Sequence, residues 1–195
     1  MSETRLFGAG GGPIAAPMNT FFPCLLTVAL LLALPAAAAE TKKTPAPAHP
    51  AAAAAGPKQI GKFDDWIAAT HAESGQTVCY AFTRAQSSAP VLPGRGAVVL
   101  TVTERSSGRD AVAIEAGLSY AANANVTVQV DQTGLEFYTA GRNAFARDGK
   151  VAVTAFGKGS RAISRSPGPK EVTDTFSLKG FGAAYAAIVK ACPAK

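Results

Sequence analysis

The chain has 195 residues and a formal net charge of +6 at pH 7, with 19 lysines and arginines against 13 aspartates and glutamates. A length of this order suits one domain with a single hydrophobic core and short flanking segments. The two histidines and three cysteines show no paired spacing, which argues against a metal centre built on imidazole or thiolate ligands.

The first feature along the chain is a nearly uncharged apolar run at residues 21–39, in which Pro35 and small alanines follow the leucine-rich core ahead of Glu40. This order of residues is typical of a secretory signal peptide. We therefore expect residues 1–39 to be a signal peptide that is cleaved after Ala39 and directs the chain to the periplasm or envelope. Two alternatives stay open. An uncleaved segment 21–39 would anchor the chain in the inner membrane, and Met18 would serve as an alternative start.

Residues 40–58 follow the leader and are rich in alanine, proline and lysine. Such a segment has too little bulky apolar surface to pack into a core, which predicts a flexible spacer. The remaining residues, 59–195, have the length of a single domain, and they contain no internal repeat.

The cysteines follow from the predicted export. Loss of the leader removes Cys24 and leaves Cys79 and Cys192 in the exported chain. In an oxidising compartment an isolated pair of cysteines indicates a disulfide. The alternative is a pair of buried thiols that are not bonded to each other.

Apolar and polar side chains alternate with period two in several segments, which predicts strands with one face on a core and the other in water. Residues 126–130 are the clearest case, since the chain turns at residues 131–134 and returns at 135–137. Gly134 is expected to take the positive φ of that hairpin. Residues 150–156 fit either a strand or one or two helical turns. The other predicted strands lie at residues 66–71, 78–82, 98–105, 112–115, 159–164 and 172–178.

From Gly180 the apolar spacing changes to three and four residues, which predicts an amphipathic helix packed against the sheet. The cysteine at its end would tie the C-terminus to the strand that holds Cys79. We therefore expect a mainly β domain, an antiparallel β-sandwich or open barrel of six to eight short strands with one C-terminal α-helix. The apolar stripe of the helix consists of Phe181, Ala184, Tyr185, Ile188 and Cys192.

Groups suited to catalysis are few in the exported chain. His71 is the one histidine outside the spacer, and we interpret it as a surface residue at a strand end. No Gly-x-Ser-x-Gly elbow is present, and the Ser177 hydroxyl, at a strand-to-helix junction, is expected to bond backbone N–H groups. We therefore expect no enzyme activity, cofactor or metal. The alternative is a small periplasmic hydrolase with a site assembled around His71.

Basic residues concentrate between residues 142 and 170, where Asp148 is the lone acid. If residues 159–164 continue as a strand, Arg161 and Arg165 lie on the same face. This basic patch is the candidate surface for an envelope protein or an anionic envelope component, including a membrane surface. The alternative role is a solubilising edge that blocks pairing between sheets. The basic patch consists of Arg142, Arg147, Lys150, Lys158, Arg161, Arg165 and Lys170.

Several of these residues, taken together, resemble the invasion-associated locus B family of bacterial envelope proteins. The resemblance covers residues 63–192, and its closing motif is the most specific part. It implies an exported, predominantly β domain of bacterial origin, a link to host-cell invasion, and no catalysis. The residues that carry it are Trp66, Cys79-Tyr80-Ala81, Asp174-Thr175-Phe176-Ser177-Leu178-Lys179-Gly180-Phe181 and the helix residues up to Cys192.

The leader, the cysteine pair and the resemblance together predict an exported, non-enzymatic periplasmic or envelope protein that binds a protein or an envelope component. A passive structural component of the envelope, with an exposed sheet edge as its interface, is a further alternative. A nucleic acid partner is not expected, because the chain is exported and aromatic residues do not interleave with the basic ones.

Overall fold

A computed structural model of the protein describes residues 56–168 and 170–194. The predicted signal peptide, its membrane-anchor alternative and residues 40–55 of the predicted spacer lie outside these residues. Neither of the two helices in the described residues has the length and apolarity that a membrane crossing needs.

The described residues form one antiparallel sheet with two helices, which confirms the predicted class of a mainly β domain with a C-terminal helix. The sheet has eleven strands, so the expectation of six to eight was wrong. The elements are β1 (Lys58–Phe63), β2 (Trp66–Glu73), β3 (Gln76–Arg84), β4 (Ser87–Ala89), β5 (Val99–Arg105), β6 (Gly108–Glu115), β7 (Asn125–Val130), β8 (Thr133–Ala140), β9 (Asn143–Ala146), α1 (Gly149–Lys158), β10 (Arg161–Ser166), β11 (Val172–Ser177) and α2 (Phe181–Ala191).

Three strands, β1, β4 and β9, have no counterpart in the prediction, because their sequences lack the alternation on which it relied. β1 begins at Lys58, the last residue of the predicted spacer, and carries a glycine and two lysines. β4 and β9 have three and four residues, which is too short for a period of two to be recognised. Tertiary pairing with longer neighbours, and not local sequence, makes these segments extended.

The strand order is β1-β2-β3-β5-β6-β9-β8-β7-β10-β11-β4, and the sheet is not closed. β4 is the short continuation of β3 along the chain. The N–H of Ala85 donates to Val98 O at 2.9 Å, and the next N–H, that of Gln86, donates to Thr175 O at 2.8 Å. The chain therefore crosses here from pairing with β5 to pairing with β11, and this crossing curls the sheet around its core.

Two hairpin turns illustrate how the sequence sets the register. Ser74 and Gly75 join β2 to β3 with φ values of +49° and +78°, which a tight two-residue hairpin favours. Between β7 and β8, Asp131 has a φ of +47°, and Gly134 lies within β8 opposite Gln129. The hairpin was predicted correctly, but the assignment of the positive φ to Gly134 was wrong. An aspartate side chain tolerates the left-handed region well enough to take that place.

Helix α2 packs on β1, β2 and β3, as its apolar stripe predicted. Phe181, Ala184 and Ile188 are its buried residues, and the Phe181 ring lies 4.9 Å from the Trp66 ring, edge to face. The Trp66 indole N–H donates to Ser177 O at 3.0 Å, which fixes the end of β11 beside the start of β2. The Ser177 hydroxyl accepts from the Lys179 N–H at 3.1 Å, as predicted for this junction.

Helix α1 resolves the ambiguity of residues 150–156 in favour of a helix. Asp148 caps its first turn by accepting a hydrogen bond from the Val151 N–H at 2.9 Å. Ala152 and Phe156 point into the core, where the Phe156 ring meets Phe181 edge to face at 5.6 Å. The two helices thus meet over the same core. Its largest fully buried apolar side chains include Trp66, Phe137, Phe156, Phe176, Phe181, Leu100, Ile114 and Ile188.

Candidate functional site

The residues of the basic patch are all exposed, and they lie on several elements. Lys150 and Lys158 belong to α1, whereas Arg142, Arg147 and Lys170 lie in connections between elements. β10 extends beyond residue 164, and it places Arg161 and Arg165 on the same solvent-exposed side, as predicted for a continuing strand. We call this the outward face of β10, and its opposite side packs into the core.

Acidic residues from neighbouring strands are interspersed with the basic patch, which the linear sequence did not show. The Arg147 Nε lies 3.7 Å from an oxygen of Glu136 on β8, and the Arg165 Nε lies 4.0 Å from an oxygen of Glu171. These pairs are exposed and worth little in stability. They nevertheless reduce the positive field over their part of the patch. The exposed Asp131, which lies 3.5 Å from the hydroxyl of Ser160 next to Arg161, reduces it beside Arg161 as well.

His71 lies on β2 beside the Tyr80 ring, with ring centres 5.4 Å apart. Its Nε2 is 3.9 Å from an oxygen of the exposed Glu73 carboxylate, which is beyond hydrogen-bond distance. A proton relay needs a nucleophile or a carboxylate in hydrogen-bond contact with the imidazole. The surroundings of His71 therefore offer no support for the hydrolase alternative.

A cavity of about 540 Å³ opens where three connections meet at one end of the sheet. The connections are those between β4 and β5, between β6 and β7, and between β10 and β11. Leu92, Leu118 and Val172 contribute aliphatic walls, and the cavity volume lies within the range of small-molecule sites. Of the basic patch, Lys170 alone is among its lining residues.

Arg95 lines the cavity, and a buried ion pair with Asp174 holds its side chain in place. Their side chains are 6% and 1% exposed, and the guanidinium binds both carboxylate oxygens, at 2.7 and 2.8 Å. Arg95 Nε also donates to Ala116 O at 2.7 Å, and the Ser88 hydroxyl donates to Asp174 at 2.6 Å. A bidentate pair with these additional bonds compensates its own desolvation. It joins the β4–β5 connection to the β6–β7 connection, through Ala116, and to strand β11, through Asp174.

Three residues with hydroxyl groups line the same cavity: the exposed Ser119 and the more buried Tyr120 and Ser166. Ser166 is 6% exposed, and within the described residues its Oγ has no hydrogen-bond partner. Burial raises the pKa of the half-buried Tyr120 phenol, and the nearby Ser166 hydroxyl opposes that rise. The Tyr120 phenol is a close neighbour of Ser166, but no group within the described residues meets hydrogen-bond geometry with Ser166 Oγ, which therefore retains its bonding capacity.

The wall on the side of Ala116 depends on a glycine at position 117. Gly117 has a φ of +70°, and a Cβ there would collide with the Gly96 carbonyl. The Gly96 N–H donates to Gly117 O at 3.0 Å, so the two backbones run in direct contact. This close approach brings the β4–β5 and β6–β7 connections together beside the cavity.

The predicted disulfide is present between Cys79 on β3 and Cys192 at the end of α2, with Cα atoms 6.0 Å apart. Beside it lies Glu104, which faces Cys79 across the β3–β5 pair and is fully buried. Arg109 Nε is 2.6 Å from Oε2 of Glu104 without being aligned for a hydrogen bond, and the Asp110 N–H donates to Oε1 at 3.2 Å. The Tyr185 hydroxyl of α2 donates to Asp110, which links this cluster to the helix.

Sequence reasoning missed the cavity. Its residues come from positions near 92, 118, 166 and 172, and each group alone is an ordinary turn or strand end. The one local signal was Arg95 within Pro93-Gly94-Arg95-Gly96, since an arginine between glycines suits a position where backbones approach closely. Nothing in the linear sequence pairs it with Asp174.

Comparison with known proteins places these observations in a family. The family model of the Invasion associated locus B (IalB) protein matches residues 66–189, more than half of the 195 residues. The crystal structure of invasion associated protein b from Bartonella henselae is similar, with a TM-score of 0.50 and 18% identity, over 67% of this chain and 95% of that chain. No curated protein matches the chain. At this identity the structural likeness concerns the fold, while the family match shows that the protein belongs to the invasion associated locus B family.

Proposed function

We propose that the protein is exported and acts in the periplasm or envelope as a non-enzymatic binding module for an anionic envelope component. The related crystal structure is named an invasion associated protein, and membership of the same family extends that association to this chain as part of the proposal. The observation that carries the binding role is the outward face of β10. Its exposed Arg161 and Arg165 lie on the solvent side of a strand whose other side is core.

Export is supported by the leader pattern and by the disulfide. A cysteine pair bonded across the domain is stable in an oxidising compartment and rare in the cytosol. The absence of catalysis is supported by the position of His71, which lies 3.9 Å from the carboxylate nearest to it. No group of three or more metal-binding side chains occurs within residues 56–168 and 170–194.

The binding role of the outward face of β10 is better supported than a passive structural role with the sheet edge as its interface. β1 is one end of the sheet, and within the described part of the chain its outer edge has no strand beside it. That edge strand carries Lys58 and Lys62, and lysines on an edge oppose pairing with another sheet. Arg161 and Arg165 instead alternate with core residues on an inner strand, where blocking of edges is not needed.

Reversal of charge on the outward face of β10 is expected to weaken capture strongly. Arg161→Glu combined with Arg165→Glu replaces two positive charges by two negative charges, so an anionic component is repelled. In pull-downs from envelope fractions, the wild type is expected to lose its bound material as the salt concentration rises from about 0.05 to about 0.5 M, because screening shortens the range of the field. The double variant is expected to capture at least about tenfold less at low salt.

The matched control is Lys58→Glu combined with Lys62→Glu, which makes the same change of net charge on β1. This control is expected to capture as the wild type does. Equal losses in the two double variants would show that net charge alone matters, and unchanged capture in the β10 variant would remove this face from the proposed function.

A further inference from the structure

We propose that the cavity beside Arg95 binds a single-chain fatty carboxylate, with the apolar tail inside and the carboxylate held by Ser166, Tyr120 and Lys170. The site is separate from the outward face of β10, because Ser166 points to the inner side of the strand on which Arg161 and Arg165 point outward. The two proposals therefore stand or fall independently.

The walls of the cavity suit an aliphatic tail. Leu92, Leu118 and Val172 line it, and Tyr120 is its single aromatic residue. An apolar tail removed from water against such side chains gains the hydrophobic free energy that drives most small-molecule binding. A flat aromatic ligand would instead find few rings to stack on. The volume of about 540 Å³ accommodates a chain of moderate length together with a small head group.

The polar groups select the head group. Ser166 ends β10 and Lys170 lies in the β10–β11 connection, so both belong to the same part of the cavity lining, whereas Leu92 and Leu118 come from the other two connections. The buried Ser166 hydroxyl has no partner among the described residues, and a buried hydroxyl without a partner is costly. A carboxylate oxygen at this place would accept its hydrogen bond and that of the neutral Tyr120 phenol.

The charge of the lining favours an anion. Among the described residues that line the cavity, two are basic and none is acidic. The Arg95 guanidinium donates to both carboxylate oxygens of Asp174, and this ion pair neutralises its charge. The positive charge left to a ligand is therefore that of Lys170, which matches a head group with one negative charge.

The test is calorimetric titration of the exported protein with dodecanoate below its micelle concentration. Saturable binding of dodecanoate is expected, with no binding of dodecyltrimethylammonium, which has the same tail and a cationic head. Ala121→Trp and Ser119→Trp fill the cavity from exposed lining positions and are expected to abolish binding. Ala183→Trp, at an exposed position of α2 that does not line the cavity, is the control and is expected to bind as the wild type does.

Two further variants test the head group. Ser166→Ala is expected to weaken dodecanoate binding about tenfold, the usual loss for a hydrogen bond to a charged group. The same variant is expected to unfold at a temperature no lower than that of the wild type without ligand, since it removes a hydroxyl that has no partner. Lys170→Gln is expected to weaken binding about threefold and to remove most of its salt dependence.

Equal binding by the wild type and both tryptophan variants at the cavity would place dodecanoate elsewhere and overturn the proposal. No saturable binding by the wild type, or equal binding of the cationic amphiphile, would overturn it as well. Each result leaves the charge-reversal test on β10 unaffected.

Discussion

Cys192→Ser is expected to lower the free energy of unfolding by about 4 kcal/mol. The disulfide joins residues 113 positions apart, and such a crosslink removes much of the conformational freedom of the unfolded chain. The loss is expected in guanidinium denaturation without reductant, as a lower midpoint and a steeper dependence on denaturant. The steeper dependence follows because the unfolded chain becomes more expanded and exposes more surface once the crosslink is gone.

The variant is nevertheless expected to fold. Helix α2 is held along its length by Phe181, Ala184 and Ile188, which are buried whether or not the bond exists. What the bond adds in the native state is the attachment of the helix end, where the Cys192 carbonyl also accepts a hydrogen bond from Arg109. Hydrogen exchange is therefore expected to increase at residues 189–194 and to change little in the central strands.

Reduced wild-type protein is the matched control, because it lacks the same bond without any substitution. Addition of a reductant is expected to bring the wild type to the stability of Cys192→Ser and to leave that variant unchanged. On non-reducing gels the wild type should run faster than the variant. Equal denaturation midpoints of oxidised wild type and variant would show that the bond contributes no stability.

The long strands and the closing helix were predictable because burial is periodic in them. Along β5 and β7, every second residue is buried in the structure, and the apolar residues in the sequence follow that period. The same holds for α2, where Phe181, Ala184 and Ile188 repeat at spacings of three and four. In these elements the hydrophobic pattern and the local propensity agree, so the sequence alone is sufficient.

The cavity could not be predicted, because its parts come together through strand order. Asp174 and Arg95 are 79 positions apart, and they meet because β4 pairs with β11 at the end of the sheet. That pairing involves three residues of β4 and leaves no periodic trace in the sequence. Ser166 follows the period of β10 as an inward-facing residue, yet only the structure shows that its hydroxyl lacks a partner among the residues it describes.

The basic patch shows a related limit. Between residues 142 and 170 the chain has one acid, which suggested an uninterrupted positive surface. In the sheet, Glu136 on β8 and Glu171 before β11 lie beside basic side chains of the patch. Charge along a segment therefore describes a surface poorly in an antiparallel sheet, because each strand is flanked by segments distant in sequence.

The wild type is expected to lose stability as the pH rises from about 5 to about 8. Glu104→Gln is expected to lose much less stability over the same range. Burial is the main cause that raises the pKa of Glu104 to about 7, from 4.5 in an unstructured chain. A hydrogen bond with the Asp110 side chain raises the pKa further, whereas the hydrogen bond from the Asp110 N–H and, to a smaller degree, the Arg109 guanidinium oppose the rise. Glu104 is fully buried, so little water is present to screen these effects.

The direction of the effect follows from proton binding. Between pH 4.5 and about 7 the folded chain keeps the proton on Glu104, whereas the unfolded chain has lost it. Stability therefore falls as the pH rises through this window, and the fall is complete above the folded pKa. The difference between the two pKa values corresponds to about 3 kcal/mol at the high-pH end. Glutamine cannot ionise, and it retains an oxygen that accepts from the Asp110 N–H, so its stability should be nearly flat over this range.

Denaturation with guanidinium at several pH values provides the measurement, with Glu115→Gln as the matched control. Glu115 lies on β6 with an exposed side chain, so this control is expected to keep the wild-type fall. Asp110→Asn should move the fall to lower pH, because asparagine lacks the negative charge of Asp110 that raises the pKa of Glu104. Asparagine also tolerates the φ of +54° at this position. If wild type and Glu104→Gln lose stability in parallel, the carboxyl of Glu104 is not the group whose titration causes the loss.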